Sequence, residues 1–171
     1  MDIMPSALQM TVTDTLMEGM KRYFKTAGIS QLTTIGADKK AKTVCGLQFI
    51  NFVVNGSSKE TVTPPIKWGN LRAAGSVHVG REFVGGNNLY PVKEKTGEGA
   101  NIGGISEKPD TITIGFNTSY ATKLHETEWN PGPASKKAGN VGNKYLEKHL
   151  VADRETVMQL YAETFKKETG G

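Results

Sequence analysis

The chain predicts an α+β fold: a small antiparallel sheet packed against N-terminal and C-terminal helices, with long Gly/Pro-rich loops. Three observations carry that expectation. Apolar residues recur at helical spacing near both ends of the chain. Ile112, Ile114 and Phe116 alternate with Thr111, Thr113 and Gly115, as on a strand with two unlike faces. Two stretches, 81–109 and 127–143, hold no period and are broken by glycine or proline, which suits loops.

From Ser6, the residues Leu8, Val12, Leu16, Met20 and Phe24 recur every four positions, predicting an amphipathic helix opened by Pro5-Ser6 and stopped near Gly28. Ile29 to Gly36 reads as a threonine-rich connection with some extended character. Asp38 to Asn55 begins polar at Lys39, Lys40 and Lys42 and turns strongly apolar from Val44 to Val54. Val44, Leu47, Ile50 and Val54 fit a helix, whereas Leu47, Phe49, Asn51 and Val53 also fit a strand. The helix closing at Asn55-Gly56 is preferred, although the β-branched and aromatic content pulls toward a strand.

Pro64 and Pro65 then deter helix, Gly69 allows a bend, and Asn70 can cap a turn carrying Leu71 to Ala74, with Trp68 and Arg72 displayed. Gly75 to Gly80 reads as a strand with Val77 and Val79 on one face and His78 toward solvent or an edge. Residues 81–109 form an excursion or loose hairpin. After the 110–116 strand, Tyr120 to Glu126 makes one or two helical turns. The 127–143 stretch is extended or irregular unless a neighbour orders it. Tyr145, Leu146 and Leu150 open the helical end, and Asp153 is placed to cap a longer helix whose inner side holds Val157, Leu160, Tyr161 and Phe165. Lys166 and Lys167 complement its dipole.

At 171 residues the chain suits one domain. Its 21 basic and 17 acidic residues are interspersed, so the net charge of +4 does not indicate a dedicated nucleic-acid binder. The single cysteine, Cys45, excludes an intramolecular disulfide framework and is expected to be a buried thiol. No stretch has the length and apolar character of a membrane span, and a cytosol-like compartment is expected.

Phosphate-cradling glycine loops and nucleophile elbows are absent from the sequence, so neither an enzyme nor a cofactor is expected. His125 adjoins Glu126 and could share a proton or metal with it, but zinc needs two more ligands that nothing nearby supplies. His149 is expected to pack or to place a charge at a helix end. Lys136, Lys137, Lys144 and Lys148 form the densest basic patch, which could touch a phosphate backbone or equally face an acidic partner.

Three stretches in this order carry a resemblance: Thr63 to Gly75 with its Gly69-Asn70-Leu71-Arg72 turn, Ile112 to Glu126, and Lys144-Tyr145-Leu146-Glu147-Lys148-His149-Leu150. The chain resembles the head-tail connector and tail-completion proteins of tailed bacteriophages, often called minor capsid, neck or tail-terminator proteins. The resemblance spans roughly 60–165. Lys67-Trp68 and the long loops depart from the usual pattern.

The resemblance implies an α+β subunit that forms a ring with itself, hexameric or higher, in the virion. Portal- or adaptor-side and tail-tube-side proteins would be its neighbours, with non-specific contact to genomic double-stranded DNA and no membrane partner. Assembly would take place in the host cytoplasm. Trp68, Arg72, Tyr120, His125, Glu126, Trp129 and Tyr145 become candidates for subunit or partner contact. The alternative is a small basic nucleic-acid-binding protein or phage assembly factor.

Overall fold

The computed structural model describes residues 8–12, 31–58, 61–66, 70–86, 111–116 and 118–170. Its architecture is α+β. Strands β1 (Leu8–Val12), β2 (Gly75–Val79), β3 (Glu82–Gly85) and β4 (Ile112–Phe116) form an antiparallel sheet in the order β1-β4-β2-β3. Helix α1 (Gln31–Asn55) precedes the sheet's inner strands, and α2 (Asn70–Ala73) leads into β2. Helices α3 (Ala121–Glu126), α4 (Pro133–Lys137), α5 (Tyr145–Ala152) and α6 (Arg154–Glu168) follow β4.

The expected helix from Ser6 is corrected at its start, because Leu8–Val12 is a strand paired along β4. A four-residue apolar spacing is also a multiple of two. Leu8, Met10 and Val12 alternate with Gln9 and Thr11, and β4 offers an edge for pairing. The rest of that expected helix, 13–28, lies outside the described residues.

Helix α1 closes at Asn55, as the preferred reading of that stretch has it, but it starts at Gln31 instead of near Asp38. Packing explains the extension. Ala37, Ala41 and Cys45 bury against Tyr161 and Phe165 of α6, so the early turns have a partner that local sequence did not reveal. Further along, Phe49, Ile50, Val53 and Val54 enter the main core with Val77, Ile114 and Phe116. This second half decides between the two periods: both i,i+3 and i,i+4 partners bury together on one helical stripe.

The lysines of α1 have acidic partners, one within the helix and two on other elements. Lys39 pairs with Glu82, Lys40 lies 2.6 Å from Glu168, and the fully buried Lys42 pairs with Asp38. Tyr161 donates its hydroxyl to Asp38 as well.

Gly80, at φ 58, turns the β2-β3 hairpin, and a bulge falls between Val77 and His78. His78 is corrected from a solvent-facing or edge position: it is buried, with its ring 5.4 Å from that of Phe83. Strand β3 falls within the expected 81–109 excursion, of which 87–109 lie outside the described residues.

The 127–143 segment is ordered by its own chain. Thr63 N–H donates to Asn140 O at 3.0 Å, Gly142 N–H to Thr63 O at 3.2 Å, and Ile66 N–H to Ser135 Oγ at 2.8 Å. Asp153 joins α5 to α6, but its carboxylate makes no side-chain cap to α6. It lies 2.5 Å from Nδ1 of the fully buried His149.

Candidate functional site

Helices α3 and α5 build the polar cluster with the most chemistry. Tyr145, fully buried, sets its ring edge-on to Phe116 at 5.5 Å and to His125 at 4.7 Å. Its hydroxyl donates to Ala121 O at 3.3 Å. Lys144 adopts a left-handed conformation at φ 53 just before α5, and its backbone N–H donates to His125 O at 2.8 Å. Two stretches separated by the 127–143 segment are thereby held as one unit against β4.

At this junction His125 Nδ1 lies 2.8 Å from Glu126 Oε1, while Nε2 lies 3.9 Å from Glu147 Oε2. Lys144 Nζ donates to Glu126 Oε2 and lies 3.6 Å from Glu147 Oε1. The hydrogen bond from Lys144, followed by that from His125, holds the Glu126 carboxyl below its ordinary range. The same contact with Glu126 raises Lys144. Burial drives the Tyr145 phenol well above its usual value, so it remains protonated.

The fold brings one further ligand to the His125-Glu126 pair, of the two that zinc was expected to require. Glu147 arrives from α5, and one ligand atom from each of the three residues lies within 4.8 Å of the others. Its sequence position gives no signal of this contact, because it depends on how the intervening segment returns.

An open cleft of about 400 Å³ lies alongside, lined by Glu128, Trp129, Asn130, Gly142 and Asn143. Trp129 is half-buried and donates Nε1–H to Leu124 O at 2.9 Å, tying the cleft wall to α3.

Among the proposed contact residues, the side chains of Arg72, His125 and Tyr145 are buried within the subunit. Arg72 donates Nε–H to Pro64 O at 2.9 Å and a guanidinium N–H to Thr63 Oγ1 at 2.6 Å. Tyr120 and Glu126 are exposed, and Trp68 lies outside the described residues. The basic patch divides. Lys136 and Lys137 are exposed on α4, and Lys148 lies 3.5 Å from Asn143 Oδ1, whereas Lys144 is committed to the acidic pair.

Burial pushes the Cys45 thiol up to about 12, and its Sγ donates to Val157 O at 3.3 Å, consistent with the expected buried thiol. No helix among the described residues is long and apolar enough to cross a membrane. No protein-family model, curated protein or solved structure matches the chain.

Proposed function

We propose that this chain is a structural subunit of a ring at the head-tail junction of a tailed bacteriophage, in the neck or at the top of the tail. One observation carries this reading beyond sequence resemblance. The stretches bearing the resemblance converge on one core: Leu71, Phe116, Ala121, Tyr145 and Leu146 pack together. Arg72 and the Lys144 backbone close the connections behind them. A motif set scattered along the chain therefore acts as one packing unit, which supports its reading as the scaffold of a subunit.

The mechanism is mechanical. Successive copies join unlike surfaces and close a ring. The ring keeps a passage for double-stranded DNA, binds portal-side and tail-side proteins on opposite faces, and ends tail addition. Exposed groups such as Tyr120, Lys136 and Lys137 supply surface for contacts. This role requires no turnover.

Cryo-electron microscopy of tailed particles tests the proposal directly. The expected result is a closed ring of this chain between portal and tail. Particles that contain no copy of the chain would overturn it and favour an assembly factor.

A further inference from the structure

The geometry points to a divalent-cation site of the zinc class, in which His125 Nε2 and the Glu147 carboxylate are the protein ligands and Glu126 orients the imidazole. Nδ1 of the buried ring lies 2.8 Å from Glu126 Oε1. A carboxylate accepts hydrogen bonds, so in the neutral ring Nδ1 carries the proton and Nε2 carries an in-plane lone pair. That buried Nε2 has no hydrogen-bond partner among the described residues, yet it lies 3.9 Å from Glu147 Oε2. Two acceptors facing each other repel unless a proton or a metal cation lies between them, and at 3.9 Å a proton on Nε2 would make no hydrogen bond to Oε2.

Zinc binds imidazole nitrogen and carboxylate oxygen at about 2.0–2.2 Å, placing two tetrahedral ligands about 3.4 Å apart. Glu147 can supply the small closure, because its side chain is 53% exposed. The carboxylate on the opposite ring nitrogen fixes the tautomer that leaves Nε2 available for metal. Lys144 is the competing cation. Its direct hydrogen bond goes to Glu126, and one ammonium against two carboxylates leaves negative charge beside His125. Imidazole with carboxylate favours zinc over magnesium or calcium, and water completes an open coordination shell.

The test titrates zinc chloride into the chelator-treated full chain, with calorimetry for affinity and histidine ring NMR for location. One zinc equivalent is expected to bind and shift the His125 Nε2 signal, while equimolar magnesium leaves it unmoved. Glu147→Gln is expected to abolish that shift, and Glu126→Gln to weaken binding by about 10-fold or more. Lys144→Met is expected to tighten it. Urea unfolding confirms that the variants remain folded; exposed Glu147 gives a ligand deletion that avoids altering the buried ring. Absence of zinc binding, or the same affinity in the wild type and Glu147→Gln, would overturn the site. Because the experiment uses the isolated chain, either outcome is independent of the ring proposal.

Discussion

A buried guanidinium must satisfy its donors inside the protein, and Arg72 does so through Pro64 and Thr63. Arg72→Ala should lower unfolding stability by about 2–3 kcal/mol, since it strands buried acceptors as well as removing charge-assisted bonds. Arg72→Lys should recover only part of that loss, because an ammonium lacks the planar fork. Urea unfolding checks both variants; a negligible loss in Arg72→Ala would contradict the clasp. His78 gives a pH-dependent counterpart. Burial lowers its pKa from 6.5, so the unfolded chain takes up this proton at higher pH than the folded chain. The resulting stability contribution is present above 6.5 and is lost as pH falls through 6.5 toward the lower folded value. His78→Leu should remove that part of the slope in unfolding measurements over about pH 7 to 5.5. Parallel wild-type and variant curves would contradict this role.

At the scale of elements, two glycines in α1 separate helix propensity from packing. A Cβ on Gly36 meets nothing within 4 Å, so Gly36→Ala should stabilise the protein by about 0.5–1 kcal/mol. A Cβ on Gly46 would lie 2.5 Å from Val77 Cγ1 and 3.2 Å from Ile112 Cγ2. The overpacking cost of about 1–3 kcal/mol should exceed the alanine propensity gain, making Gly46→Ala destabilising. Opposite shifts in thermal midpoint are expected; shifts of the same sign would contradict the seating of α1 on β2. The same contrast explains what was legible in the sequence. The alternating 110–116 stretch gave a strand directly, and the terminal apolar stripe gave α6. Leu8 and Val12 satisfied both periods, so only pairing with β4 identified the strand. The charges of His125, Glu126 and Lys144 were visible, but the approach of Glu147 required the fold to return α5 beside α3.

Across the whole molecule, the 127–143 segment changes the expected balance between internal order and assembly. Its sequence lacks apolar periodicity, yet backbone bonds through Thr63, Asn140 and Gly142 join it to the segment before α2. Ser135 adds a second clasp: it accepts from Ile66 N–H at 2.8 Å and donates to Ile66 O at 3.0 Å. The isolated chain should therefore already protect the Thr63, Ile66 and Gly142 amides from hydrogen exchange. Ser135→Ala removes both side-chain bonds and should accelerate exchange at Ile66 and across 131–142 while leaving α1 protected. Under the proposed ring assembly, added protection is expected chiefly around exposed Tyr120, Lys136 and Lys137. Hydrogen-exchange mass spectrometry of the isolated wild type, Ser135→Ala and assembled particles separates these effects. Free exchange at Ile66 and Gly142 in the isolated wild type would refute the internal clasp, whereas protection unchanged on assembly around those exposed residues would refute their place in the ring contact.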